Sequence, residues 1–513
     1  MRDTDGLQAT ITTGPVHRAG QSLSLELALR ISLPMPTQDR DLPEQIEAYV
    51  HEAGLQVQRR MFRALIEKAD SELVVQRRHG KAGRGIPRRG TRPFTFKTTM
   101  GEVAVERSRI SHRADGSIEI PSATAWGTSH QLAITQNLRD AVCDQMSDRS
   151  ARKSRGEVGR EAGDEELLGR STIIDIVHQE GERLIAAERE RAGAIRADAS
   201  RAELARLGPT VGDLLEDELI DVPSFDEEAE TEAEAECEPV EQEWVATGFP
   251  GGEPAYPGAG GEPREVDEGY VIVEPDEVKT KAQPSTGRKE IWTYTAVVLV
   301  AGMRYTQVDA TPEGLWRQVS ALLMELGVPR GERRLLVLGD GASWIRTRFE
   351  GLGLSSRAMI VCWWHLRKRC REPMSSAGGD KERRKAFENE LLKRLWEGDV
   401  EGAMGLLEGA KAWVRNPTAV DELMGYLEKR RDYLPNYQGR QDAVLWIAST
   451  RVEKTNDWLV SHRCKHQGIS WSSPGVLALA VLESARRNGE LDARRRDRAL
   501  PERVLPEPTR RFA

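Results

Sequence analysis

The sequence predicts an α/β domain with a mixed sheet in its second half, interrupted by an all-α insertion, and an α+β region in its first half. Residues 269–375 run as three apolar strand-like stretches, a helix, a strand, a short helix and another strand, whereas residues 376–446 carry helical stretches at 381–397, 399–415 and 418–431. Residues 43–207 mix a long amphipathic stretch, a hairpin at period two and further helices. At 513 residues the chain is long enough for two or three domains with sizeable cores.

The net charge of −8 averages unlike regions. Between Asp213 and Glu243 stand 15 Asp or Glu and no Lys or Arg, so the rest of the chain carries about +7. The five cysteines (Cys143, Cys237, Cys362, Cys370, Cys464) are scattered and odd in number, which argues against a secreted disulfide scaffold. No window approaches the roughly 18 uninterrupted apolar residues of a membrane span. The expectation is a soluble, cytoplasmic protein.

Residues 1–42 hold one alternating strand, Leu23 to Ile31, and receive no function. Pro43 opens a helix to about residue 75, with Gly54 as a candidate break. From Gln58 to Arg113 the chain carries 15 Lys or Arg against 5 Asp or Glu. The run containing Arg77, Arg78, Lys81, Arg84, Arg88, Arg89 and Arg92 is interleaved with glycine, as an arm lying on phosphates would be, or as a solvated loop would be. Phe94 to Thr98 and Val103 to Arg107 read as a hairpin about Gly101.

Ser129 to Met146 reads as a helix, and Arg170-Ser171-Thr172 opens a longer helical region to about Leu207. The connector between them carries Arg149, Arg152, Lys153 and Arg155. Two helices so joined fit either a helix-turn-helix that enters a major groove, with Arg152, Lys153, Arg155 and Arg170 toward DNA, or a structural bundle. Residues 208–268, acidic and then rich in Gly and Pro, cannot bury enough apolar surface to order themselves and read as a disordered linker.

The fold resumes with the strand Tyr270 to Val278, then a hairpin, Thr293 to Val300 and Arg304 to Val308, about Ala301-Gly302. Pro312 opens a helix ending near Gly327. In Arg333 to Trp344, the apolar run Leu335 to Leu338 meets a Gly-Asp-Gly break, which places Asp340 at the carboxyl end of a buried strand. Such strand ends expose ligand-binding side chains; Asp340 could equally cap the helix starting near Ser343. The short strand Ala358 to Cys362 follows, and late in the chain Glu453 sits on the first turn of a helix beginning Ser449-Thr450.

Asp276 in Pro-Asp-Glu-Val, Asp340 in Gly-Asp-Gly-Ala, Cys362-Trp363-Trp364-His365, and Arg451-Val452-Glu453 followed by Arg463 to Trp471 resemble the catalytic domain of DDE transposases. Within these the chain is similar to the bacterial insertion-sequence group related to Mutator-like elements, including Kra-type transposases. Gly90 through Phe96, Thr98, Gly101, Val103, Val105 and Arg107 is similar to that group's amino-terminal sheet. The resemblance covers roughly residues 43–207 and 269–490 and implies a ribonuclease-H-like fold whose first and fourth strands are neighbours.

It implies catalytic domain parts at 269–375 and 447–488, an all-α insertion at 376–446 and an amino-terminal DNA-binding region at 43–207. It further implies Asp276, Asp340 and Glu453 as catalytic and metal-binding residues, holding two Mg2+ ions, with Mn2+ as a substitute. The implied activity is cleavage at transposon ends and transfer of the freed 3′-OH into target DNA, by a homo-oligomer on double-stranded DNA in the bacterial nucleoid. The chemistry agrees: neighbouring carboxylates repel unless a cation lies between them, and a third acid completes a site for in-line phosphoryl displacement. The same site without strand transfer would be a metal-dependent nuclease, and a domesticated or inactive derivative would bind DNA only.

Pro275 inside a central strand and Glu277 after the first acid depart from the family pattern, which leaves Glu274 and Glu277 as rival ligands. Cys362 and His365 match the family's Cys-x-x-His element, which implies a positioning role. Zinc held by Cys362, His365, Cys370 and Cys464 or His466 is an alternative that lacks a second tight pair, and His365 packed at a helix start is the plainer reading. Trp363, Trp364 and Trp471 flank site residues and could stack on an unpaired base. His365, Arg367, Lys368, Arg369 and Trp471 are the DNA-contact candidates of this half. The basic segment 489–513 reads as a disordered tail.

Overall fold

A computed structural model of the chain describes residues 8–19, 22–32, 42–79, 88–111, 117–128, 132–208, 269–376, 381–465 and 470–507. The expected linker, apart from Gly208, lies outside the described residues, as do residues 80–87 of the basic arm. The chain forms two compact units, Met1–Glu180 and Gly181–Ala513.

In the first unit, β1 (Gln8–Ala19) pairs antiparallel with β2 (Ser22–Ser32). Only β2 is apparent from alternation, because Gly14-Pro15 in β1 reads as a turn; the ladder absorbs it in a register shift between Thr13 and Val16. Helix α1 (Leu42–His79) runs unbroken through Gly54, beside which lies open space, so that glycine costs only propensity, about 1 kcal/mol. The four-stranded sheet takes the order β5 (Ile118–Glu119), β4 (Gly101–Ser111), β3 (Arg88–Thr98), β6 (Leu132–Ile134). The hairpin closes at Thr98 opposite Gly101, whose φ of +100° needs glycine.

Helix α2 (Pro121–Ala125) is short. The helix expected from Ser129 begins only at Gln136 as α3 (Gln136–Met146): Thr135 still donates to Lys97 O at 2.9 Å and extends the sheet first. The Arg-rich stretch expected to be a connector is itself a helix, α4 (Ala151–Glu161), because Ser150 Oγ accepts the Lys153 amide as an N-cap. Three helices therefore stand where two and a linker were expected. Helix α5 (Arg170–Asp198) ends before a capping box, Ser200 with Glu203, that starts α6 (Arg201–Arg206).

The second unit is built on a five-stranded sheet. Its strands are β7 (Tyr270–Lys281), β8 (Glu290–Val300), β9 (Met303–Asp309), β10 (Arg334–Gly339) and β11 (Arg357–Val361), in the spatial order β11-β10-β7-β8-β9. The first three form an antiparallel meander; β10 pairs parallel with β7, and β11 parallel with β10. Pro275 sits inside central β7 after all. The ladder to β10 stops at Val273, so the missing proline donor removes nothing on that side.

Apolar residues at successive positions bury both faces. Val271, Val273, Leu335 and Val337 pack on α7 (Pro312–Glu325) and α8 (Ser343–Glu350). Ile272, Leu336, Leu338 and Ile360 face α9 (Trp363–Ser376) and the insertion helices α10 (Lys381–Glu397), α11 (Val400–Ala410) and α12 (Pro417–Lys429). After α13 (Tyr437–Asp442), α14 (Thr450–Asn456) passes through a π turn, Asp457–Ser461. Helix α15 (Ser473–Arg487) follows, and Gly181 lies so close to Ala478 that a Cβ there would clash.

The described part of the tail is ordered, contrary to expectation. Leu491–Asp497 forms α16, and Arg503 is buried with Glu188 and Glu325 around it, while Tyr305 donates its hydroxyl to Val504 O. Burial of paired charge, which composition does not reveal, holds it. Among the described residues no helix is long and apolar enough to cross a membrane.

Candidate functional site

The parallel register of β7 and β10 brings two acids together. Val273 and Val337 are the last pair of the ladder, and Asp276 and Asp340 each stand three positions further on. Period-two alternation carries both to the face lined by Ile272, Leu336 and Leu338. The same alternation turns Glu277 to the opposite face, where it accepts the Trp344 indole N–H.

Glu274 shares the face of Asp276 but is engaged elsewhere. It is fully buried, and its Oε2 accepts the amide of Val452 at 3.0 Å, in the first turn of α14. Burial, opposed by Arg451, pushes its carboxyl up to about 7. Ser449, at the N-cap, accepts no helix amide through its own side chain, so Glu274 supplies an acceptor from the sheet.

That cap fixes the axis of α14 along β7, and one turn later the helix meets Asp276. Asn456 Nδ2 donates to Asp276 Oδ2 at 2.7 Å, while Thr295 Oγ1 donates to Asn456 Oδ1 at 2.6 Å. Thr295 lies directly opposite Asp276 on β8. Asn456 and Thr295 were missed by sequence reasoning; the i, i+3 spacing from Glu453 was the available signal, since it puts both on one side of a helix.

Asp340 closes a turn in which its Oδ1 accepts the Ala342 amide at 2.8 Å, just ahead of α8. The insertion pins the same turn: Tyr426 donates its hydroxyl to Asp340 O at 3.3 Å, and Arg430 Nε donates to Gly341 O at 3.0 Å. A Cβ on Gly341, whose φ is +79°, would press on the Arg430 side chain.

Glu453 reaches the site from α14, with Oε1 3.7 Å from His365 Nε2. Burial raises its carboxyl, against the pull of His365. For Asp276, burial and then the charge of Asp340, with a smaller push from Glu453, raise the carboxyl to about 7. Burial disfavours the imidazolium of His365, yet Cys362, Glu453 and Asp340 outweigh it and bring that group to about 10. Acids that repel one another across a half-buried corner offer hard oxygen donors, and a divalent cation of the Mg2+ or Mn2+ class fits that donor set. Among the described residues, the group of three whose ligand atoms lie within 4.8 Å of one another is a different one: Cys362, His365 and Glu453.

The remaining candidates divide. Trp363 is buried against Trp396 and Tyr437 and is core, so it offers no face for stacking. Trp364 is half-buried with Arg367 over its ring at 5.4 Å. Trp471 pairs through its backbone with Lys281 and Gln283 beyond the acids, with Arg463 on its ring. Lys368 is exposed and, like Arg369, stands 3.8 Å from Glu372, while Arg369 also lies over the Tyr426 ring. Cys370 and Cys464 are buried and stand outside the three-residue group; His466 lies outside the described residues.

In the first unit, Arg92, Arg152, Lys153 and Arg170 are exposed, and Arg155 pairs with Glu166 at 2.6 Å. The side chains of Arg88 and Arg89 lie outside the described residues. No protein-family model matches the chain, and no curated protein matches it.

Proposed function

We propose that the chain is a DDE-type DNA transposase that uses Asp276, Asp340 and Glu453 with Mg2+ to cleave DNA at transposon ends and join the 3′-OH to target DNA. The observation that carries the reading is the bond from Asn456 to Asp276, which ties the helix of Glu453 to the strand of the first acid across 180 positions of sequence. Support comes also from the sheet: a meander of three strands with two parallel strands added beside the first is the order of a ribonuclease-H-like fold.

Asp276, Asp340 and Glu453 would hold the metal, which when bound activates the attacking oxygen and steadies the leaving one. The chain's own groups do the rest. Asn456 and Thr295 hold the Asp276 carboxylate in one orientation, and Tyr426 and Arg430 hold the backbone that presents Asp340. Exposed Lys368, paired with Glu372 in the free chain, would turn to a phosphate of the DNA. The exposed cations Arg92, Arg152, Lys153 and Arg170 would serve the end-binding region, and oligomeric assembly would let two ends be cut together.

Pre-cut ends bearing a free 3′-OH, incubated with target DNA, Mg2+ and the full chain, test the reading. Joined product that disappears in Asp340→Asn is expected. Hydrolysis without joining would instead mark a nuclease, and neither product would leave a DNA-binding derivative.

A further inference from the structure

Cys362 stands between the end of β11 and the start of α9, and His365 follows three residues later in the first turn of α9, so their side chains share a side of the helix start. Glu453 approaches from α14, and the three ligand atoms lie within 4.8 Å of one another. Zinc bonds of 2.0 to 2.3 Å in a tetrahedron separate ligand atoms by about 3.3–3.8 Å. The 3.7 Å between His365 Nε2 and Glu453 Oε1 is a few tenths of an ångström wider than the about 3.3–3.5 Å that a nitrogen–oxygen pair on zinc would take, a gap that a small side-chain rotation closes.

The trio is held from behind. The Cys362 amide donates to Gly339 O at 2.7 Å, and the Ser449 amide donates to Cys362 Sγ at 3.4 Å, so backbone and sulfur are both fixed in place. His365 Nδ1 is buried with no hydrogen-bond partner. Cys362 is buried, whereas the side chains of His365 and Glu453 keep 30% and 42% of their exposure, so an ion has a way in. Thiolate with imidazole selects borderline-soft cations over Mg2+, and three protein ligands with one open position is a familiar zinc arrangement.

We infer that Cys362, His365 and Glu453 form a zinc-binding site that shares Glu453 with the Mg2+ site. The inhibitory consequence rests on the transposase reading: a Glu453 carboxylate held by zinc is withdrawn from Asp276 and Asp340, so zinc silences the enzyme. The site itself does not depend on that reading.

The test uses the full chain, stripped by chelator and titrated with Co2+ as a spectroscopic stand-in. Expected are one Co2+ per chain in a tetrahedral spectrum with a sulfur-to-cobalt charge-transfer band, and its displacement by an equivalent of Zn2+. The parent chain reports sulfur ligation even if Cys362→Ser fails to fold. Where that variant folds, it should lose the band, and His365→Ala should bind Zn2+ at least about tenfold more weakly. An octahedral spectrum without the band, or a band that survives Cys362→Ser, overturns the site and leaves the phosphoryl-transfer reading standing. Zinc that binds without slowing Mg2+-dependent cleavage overturns the shared use of Glu453. A cobalt site in a chain with no Mg2+-dependent cleavage overturns the transposase reading alone.

Discussion

Asn456 Nδ2 stands 2.7 Å from Asp276 Oδ2, and the amide's other end is held by Thr295. This relationship makes the helix of the third acid a part of the first acid's setting. Asn456→Ala should fold but lower the cleavage rate about ten- to a hundredfold, because Asp276 loses its fixed orientation. Asn456→Asp should cost more, since it sets a like charge against Asp276. Cleavage rates alongside thermal melts would separate the two effects from unfolding.

The raised carboxyl of Asp276 predicts how stability without metal varies with pH. In the unfolded chain that group releases its proton near its ordinary value of 3.8, and in the folded chain only near 7. Between those values the folded state binds more protons, so stability falls as pH rises through the window and is flat above it for this group. Glu274 acts with the same sign from 4.5 to about 7. Tm measured across pH 4 to 8 in metal-free buffer should fall less steeply in Asp276→Asn than in the parent, and Mg2+ should raise the parent's Tm most at the alkaline end.

Glu274 is a test of what positions α14. Glu274→Ala leaves the Val452 amide without its acceptor and should cost about 1–3 kcal/mol in denaturant unfolding. Glu274→Gln keeps an acceptor and should retain most of the stability while flattening the pH dependence. Equal losses in both would contradict the capping role.

The insertion's grip on Asp340 predicts a milder effect. Tyr426→Phe removes the hydroxyl donated to Asp340 O and should cost about 0.5–1.5 kcal/mol. A cleavage rate lowered several-fold with a melt lowered by only a few degrees would show that the helices steady the catalytic turn.

Much of this arrangement is legible in the sequence because it is local. Apolar runs broken by Gly give the strands, and a carboxylate just past such a run gives Asp340. Other parts depend on partners distant in the chain. That Pro275 is harmless follows only from where the β10 ladder stops, and the Asn456 to Asp276 bond follows only from the path of α14. The ordered tail depends on Arg503 finding Glu188 and Glu325, a pairing that a basic composition conceals. Trp363 looks like a stacking platform beside His365 until the insertion helices cover it.

The central claim is that Asp276, Asp340 and Glu453 act as one unit on DNA. Its most direct test is the Mg2+-dependent cleavage rate of Asp276→Asn, Asp340→Asn and Glu453→Gln, each checked by thermal melt. Loss of metal stabilisation is worth several kcal/mol, so each should fall about a thousandfold or more while remaining folded. A folded variant of any of the three that cleaves at the parent's rate would contradict the account.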